Sequence, residues 1–228
     1  MTYINMGANM RKNVAALMFV TLFTALFSLQ TSAKNILDEN LDKNTIIRLA
    51  EQGQLLNLVY DKHGELTNRM CAVIADAPLD IVWNVITDYA DYYKFVPEME
   101  SSIIKSSKSN EATVDFTLKI KIIMGVSSTQ KYSTRYVKEK PILHMYDPEN
   151  PKAEPGFWKL VPINGGKRTL ILYYDKAPDL MKMGSLVSGV VSSRPELAIA
   201  LQLSPISMLL DATREYSEKK AKEKKTAK

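Results

Sequence analysis

Between Glu98 and Asp175 the chain offers one strand-like segment after another with no helical period between them. The clearest is TVDFTLKIKIIMG, residues 113–125. Val114, Phe116, Leu118, Ile120, Ile122 and Met124 share one parity, and Asp115, Thr117, Lys119 and Lys121 share the other. Side chains alternate across a strand, so this segment is covered on one side and wet on the other, over roughly 35 Å. SSTQKYSTRYV repeats the pattern more weakly, with Tyr132, Thr134 and Tyr136 on one parity. Pro141 opens ILHMY, and DPENPKAEPG reads as a loop. FWKLVPI and RTLILYY flank Asn164-Gly165-Gly166, a hairpin turn. Short connections of this kind make antiparallel neighbours, and an antiparallel sheet with one apolar face requires a cover.

The flanks supply it. Asn44-Thr45 caps a short helix over IIRLAEQ that Gly53 ends. LLNLVY and the stretch to Asp76 form two strands around Asp61-Lys62-His63-Gly64, with Met70, Ala72 and Ile74 on one face of the second. Ala77-Pro78 starts a helix through Ile81, Val82, Val85 and Ile86, which gives way to DYADYYKFVP. At the other end Ser193 and Glu196 have capping-box spacing, and Ile206, Leu209, Leu210 and Thr213 form an apolar stripe. Pro205 either kinks one long helix or starts a second, and the lysines beyond Ser217 fray into solvent. The expectation is an α+β chain whose curved antiparallel sheet wraps a long C-terminal helix and leaves a cavity between them.

Residues 1–33 stand apart. Arg11 and Lys12 precede the uncharged run Val14–Leu29, and Thr31-Ser32-Ala33 follows, which reads as an export signal cut after Ala33. The segments are then 1–33 signal, 34–54 extension with a short helix, 55–217 the domain, and 218–228 a basic tail. The formal charge of +5 is concentrated in that tail, whose six lysines and two glutamates contribute +4. Without signal and tail the body carries −1, so no folded basic face for nucleic acid is expected. Cys71 is the only cysteine and sits in an apolar strand, as a buried inert thiol would. His63 and His144 are the only histidines, and neither a metal-ligand spacing nor a nucleotide or hydrolase motif occurs, so no metal or cofactor is expected.

Ala77-Pro78, Val82-Trp83, Asp88-Tyr89 and Phe95-Val96-Pro97 resemble the START-like superfamily, in particular its polyketide cyclase/dehydrase and lipid-transport branch. The order of elements from about Leu55 to Ser217 resembles it too. The resemblance implies a helix-grip fold, with two short helices after the first core strand closing a cavity mouth. It also implies a hydrophobic small molecule or lipid as partner, with transient membrane-surface contact, in an exported and periplasmic setting. Candidate ligand-lining residues are Trp83, Tyr92, Phe95, Phe116, Leu118, Ile120, Met145 and Met208. Tyr132, Arg135, Lys159 and His144 are polar candidates for a headgroup, and strand parity leaves open which of them face inward. MKMGSLVSGVVSS, residues 181–193, has the composition of a lid or bilayer-touching loop. A carrier, a cyclase or dehydratase of the same fold, and a ligand-free adaptor remain as three readings. The enzyme would need an acid–base pair in the pocket, and no His–acid constellation is visible.

Overall fold

The computed structural model describes residues 42–63, 66–121, 127–177, 189 and 196–226. Their elements are α1 (Lys43–Ala50), β1 (Leu55–Tyr60), β2 (Leu66–Ala75), α2 (Leu79–Thr87), a 3-10 turn (Tyr89–Asp91) and α3 (Tyr92–Phe95). There follow β3 (Met99–Ser107), β4 (Glu111–Lys121), β5 (Ser127–Glu139), β6 (Ile142–Tyr146), β7 (Gly156–Ile163), β8 (Arg168–Lys176) and α4 (Glu196–Thr226). The eight strands form one sheet in the order β1-β2-β8-β7-β6-β5-β4-β3, every neighbour antiparallel. The first core strand therefore pairs with the last, and the helix that follows β8 returns across β2 and α2. This is the helix-grip arrangement expected from the strand pattern.

Local chemistry explains the element boundaries. Asp42, two residues before the expected Asn44, caps α1: its Oδ1 accepts from the amides of Asn44 at 2.7 Å and Thr45 at 3.1 Å. Asn44 and Thr45 are the capped residues, because the amides left without partners belong to the first turn itself. Pro78 stands at the N-cap of α2 in extended conformation, and Asp80 lies in the first turn. Between β7 and β8, Asn164, Gly165 and Gly166 take φ of 49°, 62° and 80°, a left-handed run that two glycines make accessible.

Parity sorts the sheet into two faces. Cys71, Val73, Ala75, Val114, Phe116, Tyr136, Leu143, Trp158, Leu160 and Ile171 line the face toward α4. On the opposite face Ala72, Ile74, Leu170 and Leu172 pack under Ile46 and Ala50 of α1. Strand β2 is thus buried on both faces, more than the one apolar side read from Met70, Ala72 and Ile74, because the N-terminal helix covers its back. Gly156 begins β7 where a Cβ would meet the Tyr174 carbonyl oxygen at 2.7 Å and the Met145 methyl at 2.9 Å. A backbone oxygen in a paired strand yields little, so Gly156→Ala is expected to cost about 1–3 kcal/mol in urea unfolding.

The C-terminal residues correct the sequence reading. α4 passes through Pro205 as one helix and continues to Thr226. Its buried stripe is Ile206, Leu210, Thr213, Ser217 and Ala221, and Ala221 is only 3% exposed. The Glu218 carboxylate accepts from the Asp76 amide at 3.0 Å, tying the last turns to the start of α2. The lysines therefore project from a packed helix, because small residues at helical spacing let it lie against its neighbours. Truncation after Ser217 is expected to destabilise the domain by about 1–3 kcal/mol through lost burial of Ala221 and the lost bond to Asp76; chemical denaturation of the truncated chain measures it.

Candidate functional site

The middle of the space between sheet and α4 is filled by aromatic rings. Tyr89 stacks on Tyr136 at 4.5 Å, Tyr92 lies 5.8 Å from Phe116, and Phe116 lies 5.3 Å from Tyr132. Phe95 bridges Tyr92 at 5.5 Å and stacks on Tyr216 of α4 at 4.6 Å. Tyr92 also donates from its hydroxyl to the Ile86 carbonyl at 2.7 Å, and Ser102 donates to the Tyr89 carbonyl. Phe116 is 2% and Tyr92 3% exposed. The cavity expected around Phe116 is thus occupied by the protein's own side chains, and the helix pair after β2 is held to the sheet by its tyrosines.

Accessible surface appears farther along the same face. Strand β6 ends at Tyr146, opposite Arg135, whereas β4 and β5 continue to Lys121 and Ser127. The overrunning part of β4 and β5 carries Leu118 and Tyr132 on the parity of Phe116. Tyr132 is 46% exposed, yet burial, reinforced by the carboxylate of Asp175, pushes its hydroxyl up to about 12. Its ring lies on the parity of the face toward α4 and meets that of Phe116. Leu118 and Met145 are half-buried beside this region.

One ion pair marks its far wall. Arg69 on β2 and Asp175 on β8 are register partners on the inward parity. Arg69 Nε donates to Asp175 Oδ1 at 2.8 Å, Nη2 donates to Oδ2, and Nη1 donates to the Gln202 carbonyl on α4. The Tyr173 hydroxyl donates to Asp175 Oδ2 at 3.1 Å. Burial raises the Asp175 pKa, with Arg69 and Tyr173 pulling the other way. Burial likewise pushes the Tyr173, Tyr136 and Tyr92 hydroxyls well above their ordinary value. The Cys71 thiol, also buried, is pushed up to about 12 by burial and then by Asp211, which makes it inert. Among the described residues no group of three His, Cys, Asp or Glu side chains is placed to hold a metal ion.

The remaining candidates divide. Arg135 lies on the outer face, 3.5 Å from Glu111 Oε1 and 4.4 Å over the Tyr146 ring. Lys159 pairs in register with Leu172 of the outer cluster, and His144 is outward too, its Nε2 3.4 Å from Glu139. These three polar candidates are therefore turned away from the concave face, because their parity is that of Leu172 and not of Phe116. Trp83 packs partly against the core with Lys140 at 5.9 Å over its ring. Met208 joins Phe95, Pro97 and Tyr216 in a separate surface groove of about 390 Å³ between α3 and α4. A larger trough of about 830 Å³ runs along charged Glu215, Glu218, Lys219, Lys222 and Glu223, chemistry that suits water better than oil. The side chain of Ile120, with Ile122, Met124, the 181–193 segment, the Ser193 cap and the export signal, lies outside the described residues. Sequence reasoning missed Arg69 and Asp175; the available signal was a charge inside the otherwise apolar run NRMCAVIAD.

Sheet order, the paired short helices between β2 and β3, and the closing helix decide the architecture. The fold is a helix-grip fold. No family model and no curated protein matches the chain. Among solved structures it is similar to a STAR-related lipid transfer protein from Xanthomonas axonopodis, at 15% identity over 71% of this chain and 98% of that one, TM-score 0.49. It is similar to human StAR-related lipid transfer protein 5 at 12% identity over 72% and 83%, TM-score 0.49. It is similar to the Zhui aromatase/cyclase of a Streptomyces species at 16% identity over 65% and 94%, TM-score 0.41. Each of these likenesses is one of fold.

Proposed function

We propose that this START-like protein binds a hydrophobic small molecule of the lipid class on its concave face, at the end where β4 and β5 outrun β6. The observation that carries the reading is Tyr132, a large aromatic side chain 46% exposed on the same parity as the buried Phe116. Leu118, half-buried on the same parity, adds apolar surface, and covering it with an acyl or isoprenoid chain is favourable by about 25 cal/mol per Å². Burial pushes the phenols around the site up, so they stay protonated and act as neutral hydrogen-bonding groups. Export by the N-terminal signal, with cleavage after Ala33 and residence in the periplasm, belongs to the same proposal. Transient contact with a membrane surface during loading belongs to it as well.

The filled centre at Phe116 favours a second reading, an adaptor that uses its surface and holds no ligand. Native mass spectrometry of the exported protein separates the two. The ligand reading expects a co-purified apolar species at one per chain, removed by organic extraction. A bare mass at every preparation, with no uptake from added lipid, would establish the adaptor.

A further inference from the structure

We propose that the sheet edge formed by β3 is an interface at which two copies of this chain pair, antiparallel, about a two-fold axis through Ile103. This stands apart from the ligand reading. Strand β3 ends the sheet, so among the described residues its backbone has a strand partner on one side only. Such an edge presents N–H and C=O groups to any extended chain that fits it, and most edges are guarded by charge. Here the middle of the edge is apolar: Ile103 is 56% and Ile104 43% exposed. Ile103 has the outward parity of its register partner Asp115, and Ile104 the inward parity of Val114. Both faces of the edge therefore carry an uncovered isoleucine. Helix α3, which packs on β3, adds Tyr93, itself 50% exposed.

The charges of the segment say what pairs with it. In EMESSIIKSSK, residues 98–108, Glu98 and Glu100 precede the isoleucines, and Lys105 and Lys108 follow them. An antiparallel second copy sets each acidic end against a basic end, whereas a parallel one sets like charge against like. With Ile103 facing itself across the axis, Lys105 falls opposite the second copy's Ser101 and next to its Glu100. Glu100 and Lys105 both lie on the outward side, 3.8 Å from Lys119 and 3.4 Å from Asp115. Exposed bridges of this kind hold little energy, so both side chains can take a further partner. On the inward side the same register sets Ile104 against Ser102, whose hydroxyl is bonded to the Tyr89 carbonyl of the 3-10 turn. The second copy's turn then covers Ile104. Strand β3 shifts register with β4 between Met99 and Ser101 and again between Ile104 and Ser106. These bulges bend the strand at both ends of the Ser101–Ile104 piece, which confines the pairing to it. The contact is isologous and closes at two chains.

Sedimentation velocity of the purified protein over about 1–200 μM should show a reversible monomer–dimer equilibrium in the micromolar range, as a contact smaller than a standard interface gives. A protein that stays monomeric at the top of that range overturns the proposal. Ile103→Lys sets two like charges on the axis and should weaken the dimer by about tenfold or more. Its side chain is exposed in the monomer, so the variant should melt as the wild type does. A dimer that Ile103→Lys leaves intact lies elsewhere on the molecule and overturns the proposal as well. Glu100→Lys and Lys105→Glu supply a second pair of variants. Each alone brings like charges together across the axis and should weaken self-association by roughly tenfold. Mixed in equal amounts, the two variants regain opposite charges at both contacts and should form a heterodimer of near wild-type affinity. No recovery in the mixture overturns the antiparallel pairing.

Discussion

Replacing Arg69 with Met is expected to destabilise the domain by about 3–5 kcal/mol, the largest loss of any single change at the open end. The side chains of Arg69 and Asp175 are 8% and 19% exposed, so removing the guanidinium leaves a carboxylate with little access to water. The Tyr173 hydroxyl alone remains to it, and the tie to the Gln202 carbonyl of α4 is lost as well. The pH dependence has a definite sign. Burial already raises the folded pKa of Asp175, and without Arg69 it rises further. A group whose folded pKa is raised contributes stability below its unfolded pKa and loses it as pH climbs through the folded value. The variant should therefore be weakest at neutral and alkaline pH and melt at higher temperature as pH falls toward about 5. Circular-dichroism melts across that range check this. Melting like the wild type at neutral pH would show that the pair is solvated.

Phe116→Ala should be comparably damaging, at about 3–5 kcal/mol, because its ring meets Tyr92, Tyr132 and Tyr136 and leaves a hole that stacked neighbours fill only in part. For a domain of this size that lowers the melting midpoint by roughly 10 °C. Leu118→Ala, two residues along the same face but half-buried, should cost about 1 kcal/mol and lower ligand retention instead. The contrast separates core from site on one strand. Equal losses of stability at the two positions would mean that the face is packed along its whole length.

Much of this architecture was legible because strand parity is a local property. Val114 and Phe116 announce the covered face of β4 without knowledge of any partner, and Asn164-Gly165-Gly166 marks a turn by backbone chemistry alone. The order of elements then leaves one place for α4. What parity along one strand does not give is which face is inside for the next. Parity alone puts Tyr132 and Arg135, three residues apart on β5, on opposite faces, but which of them is inside is fixed only once β4 and β5 are in register. Arg69 and Asp175 meet across 106 positions of chain, so their pairing is written in sheet order and not in any motif. The lysines after Ser217 misled for a different reason: their charge reads as solvated tail, while the contacts are made by Ser217 and Ala221 between them. The filled centre was equally invisible, since tyrosines read as half-exposed at a helix end are just as able to stack inward.

The most direct test is to locate the ligand. A long-chain alcohol carrying a diazirine, irradiated with the protein and mapped by peptide mass spectrometry, should label Leu118, Gln130 and Tyr132 on the strands that outrun β6, and an excess of the unlabelled alcohol should suppress it. Labelling confined to Phe95, Met208 and Tyr216 in the α3–α4 groove, or to the outer face at Lys159 and Tyr146, would contradict the account.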